Sequence, residues 1–143
     1  MRAKQLIDDG FLGTLTSFRA VYLHSGSVDP KRPMGWKQRA SMGGGVLADL
    51  ATHVVDLVQH LIGGFDEVFC ATRILYPERP SSADPSRMER VDAEDLAILV
   101  LRRGDGLKGT IEASKIATGI QDELRLEIHG QYGTIAFNLM DPN

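Results

Sequence analysis

Asp49, His53, Asp56 and His60 follow one another at offsets of four, three and four residues. On an α-helix, at about 100° per residue, that spacing places all four within roughly 60° of one another, in one polar stripe. A carboxylate and an imidazole one turn apart can grip the same small molecule. Imidazole titrates near neutral pH, so His53 could take the proton from an alcohol while hydride leaves the carbon, with Asp49 holding the hydroxyl or orienting the ring. The same spacing also suits a solvated helix face. Two Asp–His pairs could supply oxygen and nitrogen ligands to a metal, but the chain offers no second cluster of ligands, and no metal is expected.

Directly upstream stands Gly43-Gly44-Gly45, and Gly43-x-Gly45-x-x-Ala48 matches the looser form of the dinucleotide fingerprint. That fingerprint must follow a buried strand. Here Trp36-Lys37-Gln38-Arg39-Ala40-Ser41-Met42 is polar and irregular, and the acidic pair Asp66-Glu67 precedes a strand instead of ending one. The glycines are therefore expected to let the backbone pass close to a ligand or a neighbouring strand.

These side chains need a helix to carry them, and the pattern supplies one. From Gly45 to Ile62, Val46, Leu47, Leu50, Val54, Leu57, Val58 and Leu61 recur with helical period, and Gly63-Gly64 is the stop. Ala3 to Asp9, closed by Gly10, reads as the last turns of another helix that no capping residue opens, so the chain is expected to begin inside a helix. Leu15 to Leu23 is strand-like, and Ser25 to Pro30 is a loop. Phe65 to Tyr76 suggests a further strand, and Pro77 to Arg90 a surface excursion.

Four strand candidates then follow in quick succession: Glu94 to Arg103, Leu107 to Ile116, Glu123 to His129 and Thr134 to Leu139. Glycine-containing turns join most of them, which reads as an antiparallel meander. Glu112, Lys115, Arg125 and Glu127 are expected as polar cross-strand partners. The fold class is α+β, an open, largely antiparallel sheet with helices on one face. Leu96, Ile98 and Val100 alternate with Ala97, Leu99 and Leu101, so both faces of that strand are apolar and the face without helices is expected to pack on a second copy.

With 43% hydrophobic and 24% charged residues, the 143-residue chain can bury one ordinary core. Sixteen Lys and Arg against nineteen Asp and Glu give a formal charge of −3, with no excess of cations for a nucleic acid. Cys70 is the single cysteine and lies in the apolar stretch Val68 to Ala71; it reads as a buried structural thiol in a reducing, cytoplasmic compartment. Met1 to Gly10 has no signal-peptide character, and the longest purely apolar run, Leu96 to Leu101, is too short to span a bilayer.

Taken together, Gly44-Gly45-x-Leu47-x-Asp49-x-x-x-His53-x-x-Asp56, the preceding Asp29-Pro30-x-Arg32-Pro33-x-x-Trp36, and the later Glu112-Ala113-Ser114 and Glu127-Ile128-His129-Gly130-x-x-Gly133-Thr134-Ile135 span most of the chain. In order and spacing they resemble the family of glucose-fructose oxidoreductases and inositol dehydrogenases. The resemblance implies a partial C-terminal domain, for binding substrate and for oligomerisation, of a protein whose Rossmann half lies outside these residues. It implies NAD or NADP, bound mainly by that half, and a sugar or polyol as substrate. Asp49 and His53 fall on the family's proton-handling pair. The family's third active-site residue, a lysine in Glu-Lys-Pro, belongs to the Rossmann half, and no such tripeptide occurs here. Trp36 resembles a tryptophan that borders the cofactor, followed here by Lys37 where relatives often carry Arg. His24 and Arg39 are candidates for contacting sugar hydroxyls. Two other readings stand beside this one: a binding or assembly module that kept the fold without the chemistry, and a glycosidase-like relative using nicotinamide transiently.

Overall fold

An amphipathic helix needs an apolar surface to lie on, and in the computed structural model, which describes residues 2–140, that surface is a sheet. Helix α1 (Arg2–Asp8) leads into β1 (Leu15–Leu23), and two short 3₁₀ turns (Trp36–Gln38 and Ala40–Met42) precede a π-helical turn (Leu47–Ala51) that runs into α2 (Thr52–Ile62). Strands β2 (Glu67–Arg73), β3 (Glu78–Pro80), β4 (Met88–Arg90), β5 (Leu96–Arg102), β6 (Lys108–Ser114), β7 (Glu123–Gly130) and β8 (Thr134–Asn138) complete the order.

Six strands form one open sheet in the order β2-β5-β6-β1-β7-β8. The expected meander is interrupted. β1 enters between β6 and β7, pairing parallel with β6 from Ser17↔Lys108 to Leu23↔Ser114 and antiparallel with β7. Alternation along a strand reports which residues face the core, not which strand lies beside it, so the insertion of β1 left no mark in the pattern. The other pairings are antiparallel, and the sheet is largely so.

One face of the sheet presents Phe18, Ala20, Ala97, Leu99, Ile111, Ala113, Leu126 and Ile128 to Val46, Leu50, Val54, Val58 and Leu61 of the helix, all buried. Burying one of the Val, Leu, Ile or Phe side chains among them contributes roughly 1.5–3 kcal/mol. The Ala40–Ile62 stretch, 23 residues with mean hydropathy 1.2, is long and apolar enough to cross a membrane. Its apolar stripe is spent on the sheet, and the stretch is broken between Met42 and Leu47.

The helix lies over the centre of the sheet and leaves edge strand β2 bare, with every residue from Glu67 to Arg73 exposed. Cys70 is therefore an exposed free thiol, contrary to the buried one expected from its apolar neighbours. The 77–90 segment is largely exposed, as expected of a surface excursion, yet it is not irregular throughout. It contains the β3–β4 ribbon, and Arg79 within it is fully buried. The Arg79 guanidinium donates to the carbonyls of Ser27 at 2.6 Å and Asp29 at 2.7 Å, and stacks 5.1 Å from the Tyr76 ring centre. A sequence motif cannot show this, because the partners are backbone atoms fifty residues upstream. The ribbon thereby pins the loop that leads to Trp36.

Candidate functional site

The helix that carries Asp49 and His53 starts where three segments meet. Gly44 lies so close to the Trp36–Arg39 turn that a Cβ would sit 2.5 Å from the Trp36 carbonyl oxygen and 2.7 Å from that of Arg39. The Gly44 and Gly45 N–H groups donate to the Arg39 and Lys37 carbonyls at 2.9 and 3.0 Å. Glu94, just before β5, closes the helix start: its carbonyl accepts the Val46 N–H at 2.8 Å and its Oε1 the Leu47 N–H at 2.9 Å. A carboxylate thus occupies the place a phosphate would take, and the glycines serve close backbone approach.

In the π-helical turn the Thr52 N–H reaches back five residues to the Leu47 carbonyl. The additional residue rotates Asp49 relative to α2, so the uniform stripe expected from regular helical spacing does not continue through it. His53, Asp56 and His60 are exposed, whereas the Asp49 side chain is 15% exposed and turned toward two lysines. Lys37 Nζ is 2.9 Å and Lys115 Nζ 3.3 Å from Asp49 Oδ2. These are ion-pair distances without hydrogen-bond alignment, and neither Asp49 Oδ2 nor the buried Lys115 Nζ has an aligned partner among the described residues. Burial alone would raise the Asp49 pKa, but the lysines outweigh it and hold the carboxyl below its ordinary value. Burial pushes the Lys115 ammonium down, against the pull of Asp49.

His53 stands beside Tyr22 of β1, ring centres 6.5 Å apart and inclined by 59°. Burial and then the neighbouring Asp122 raise the Tyr22 pKa. His24, one residue past β1, accepts the Gly26 N–H on Nδ1 at 2.8 Å. A backbone N–H can only donate, so the neutral ring carries its proton on Nε2 and is a donor at that atom. Burial first, and then Lys37, lower its pKa.

A half-buried carboxylate held by two cations, with two imidazoles and a phenol around it, is equipped to bind hydroxyls and move a proton. Residues 1–136 match the family model described as GFO/IDH/MocA C-terminal domain. The chain belongs to the GFO/IDH/MocA family. Within that family it is similar to levoglucosan dehydrogenase of Pseudarthrobacter phenanthrenivorans, 36% identical over 148 residues that cover 95% of this chain and 38% of the relative. A D-xylose dehydrogenase of Paenarthrobacter nicotinovorans is 26% identical, over 97% of this chain and 37% of its own length. A solved levoglucosan dehydrogenase, in complex with NADH and L-sorbose, superposes with a TM-score of 0.91 at 35% identity, covering 98% of this chain and 38% of that one. The chain thus spans under two fifths of the length of these GFO/IDH/MocA relatives, some of them sugar dehydrogenases.

The other residues expected at a GFO/IDH/MocA site are only partly brought together. Trp36 is 46% exposed, and Lys37 Nζ lies 5.3 Å from its ring centre while also reaching Asp49. Arg39 points away: its guanidinium pairs with Glu89 of β4 and ties the turn to the ribbon. Asp49 and His53 are neighbours without a hydrogen bond to each other.

The sequence reading missed Lys115, Glu94 and Tyr22. Lys115 was expected as a cross-strand partner, but strand parity puts it on the side of Ile111 and Ala113, which face the core, and it is 1% exposed. Among the described residues, no three His, Cys, Asp or Glu side chains gather as a metal site.

Proposed function

We propose that this chain is the substrate-facing, partial C-terminal domain of a nicotinamide-dependent dehydrogenase acting on a sugar or polyol. The observation that carries the reading is the charged Asp49, held by Lys37 and Lys115 one helical turn before the accessible His53. The reaction class is oxidation of a secondary alcohol. Asp49 accepts a hydrogen bond from a substrate hydroxyl, His53 takes the hydroxyl proton, and His24 donates from Nε2 to a second substrate oxygen. The exposed face of Trp36, with an ammonium beside it, suits a bordering nicotinamide dinucleotide. Gly43 to Ala48 does not, because Glu94 fills the helix start. Bound NAD or NADP, held mainly by another domain, would supply the hydride acceptor. Arg39 keeps a supporting place through Glu89. The relatives named for levoglucosan and D-xylose dehydrogenase activity support a sugar as substrate class.

The same reading includes a homo-oligomer through the open sheet face, no nucleic-acid or membrane partner, and a reducing, cytoplasmic setting. The test is to express the complete reading frame and follow nicotinamide reduction with NAD and NADP against a panel of anhydrosugars, aldoses and polyols. Reduction by at least one of them is expected. Absence of turnover with every compound, in a protein that binds the cofactor, would overturn the reading in favour of a binding or assembly module.

A further inference from the structure

Three features of Lys115 set it apart from a surface lysine. Its side chain is 1% exposed, although it comes from the residue just past β6, far in sequence from Asp49. Its backbone is held on both sides: the N–H donates to the Asp95 carbonyl, and the carbonyl accepts the Ser27 N–H, each at 2.8 Å. Among the described residues its Nζ has no aligned partner, and the carboxylate it approaches, Asp49 Oδ2 at 3.3 Å, has none either.

We propose that Lys115 is a positioning residue of the site, one whose buried ammonium fixes both the orientation and the charge of the Asp49 carboxylate. This deepens the dehydrogenase reading and, for its consequence in catalysis, rests on it.

A buried ammonium that lost its counter-charge would be strongly disfavoured, so Asp49 cannot swing away while Lys115 is charged. Asp95, the other carboxylate that acts on Lys115, has its side chain held by the Leu75 N–H, which donates to Oδ2 at 2.9 Å. The charged and titratable groups facing Asp49 come from every side. They are Lys37 on the 3₁₀ turn, Lys115 just past β6, Tyr22 on β1 and His24 just beyond it, and Asp95 and Asp122 act on these neighbours. Lys37 is nearer than Lys115, at 2.9 Å, but 39% exposed and screened by water. Lys115 acts through a water-excluded space, where a charge is felt most. Asp49 is thereby kept as an anion that receives hydrogen bonds and does not supply protons. Proton transfer is left to His53. The Lys115 carbonyl, through Ser27, also steadies the loop on which His24 and Gly26 meet.

The experiment follows the Asp49 side-chain carboxyl carbon by NMR across acidic pH in the protein and its Lys115→Met and Lys115→Arg variants. This needs neither cofactor nor substrate, so it succeeds or fails independently of whether the protein oxidises sugars. In Lys115→Met the Asp49 midpoint should move up, and in Lys115→Arg it should stay near that of the parent. In the complete reading frame, kcat should fall in Lys115→Met with KM changed less than kcat, and recover in Lys115→Arg. If a folded Lys115→Met protein, judged by amide dispersion, kept the parent's Asp49 midpoint, the proposal would be overturned. If Lys115→Met does not fold, the Arg variant decides: an Asp49 midpoint displaced upward despite the retained charge would equally refute it.

Discussion

Gly45 and Glu94 share one volume: a Cβ on residue 45 would lie 2.5 Å from Glu94 Oε1 and 2.7 Å from Oε2. Oε1 is the atom that accepts the Leu47 N–H, and Gly45 has φ +101°, where a side chain is strained in any case. Gly45→Ala should therefore lower stability by about 1–3 kcal/mol from the backbone alone and loosen the helix start besides. Glu94→Ala, which removes only the side-chain cap, should cost about 1 kcal/mol, and Glu94→Gln less. Urea unfolding midpoints rank the three; a Gly45→Ala loss confined to the backbone cost would mean that the carboxylate gives way freely, and a variant as stable as the parent would refute the backbone strain as well.

His53 and His60 separate chemistry from mere position on the helix. In the complete reading frame, His53→Ala should lower kcat about 100- to 10,000-fold, the range for removing a positioned acid or base. His60→Ala should leave it nearly unchanged. It lies seven residues on, about 10 Å along the axis at 1.5 Å per residue, too far to share one reacting carbon. Equal losses in steady-state kinetics would point instead to a stability role for this whole helix face.

The core helix and the faces of the strands were legible because both follow from apolar periodicity, as Val46 to Leu61 and Leu124 to Ile128 illustrate. Asp49 and His53 were legible as a pair because one helix carries both. Lys115 was not, since its meeting with Asp49 depends on β6 ending beneath the helix, a tertiary fact, although parity with Ile111 and Ala113 hinted at its inward side. The same holds for Arg79, whose partners are carbonyls of a distant loop. β1 between β6 and β7, and the π turn that reorients Asp49, arise from pairing and packing across the molecule.

The open face of the sheet gathers its apolar residues at one end. Phe69 is registered with Val100 and Ala71 with Ile98; Phe69, Val100 and Ile98 are 68%, 45% and 40% exposed. Toward β7 the face turns charged, with Arg19 and Glu127 at 3.7 Å. Self-association through the apolar end is expected, and Val100→Lys should weaken it without lowering the Tm of dilute, unassociated protein, because that side chain is already in water in the single chain. Sedimentation equilibrium checks the association and thermal unfolding of dilute protein the Tm, and a parent protein that stays monomeric at high concentration would count against it.

Asp49→Asn should make stability depend on pH in a way that reports the lysines. A carboxyl whose folded pKa is depressed contributes stability that is present above its unfolded value and is lost as pH falls through the folded one. With Lys37 and Lys115 outweighing burial, Asp49 is such a group, so the parent should lose this increment only on acidification through and below the ordinary carboxylate range. Asp49→Asn removes it at neutral pH and also leaves the buried Lys115 ammonium without its counter-charge. Breaking a buried pair in this way costs up to about 3–5 kcal/mol. Lys115 carries the opposite sign: burial sets its folded pKa below the unfolded one, which penalises the folded state at neutral pH, and the penalty shrinks as pH rises through the folded value. The deficit of Asp49→Asn should accordingly be largest near neutrality and narrow in alkaline buffer. Asp49→Asn with Lys115→Met should recover much of the loss, since removing both partners strands no charge. Thermal unfolding of parent, single and double variants from mildly acidic to alkaline buffer provides the comparison. A deficit that neither narrows with rising pH nor recovers in the double variant would trace the loss to packing around residue 49 and not to the ion pair.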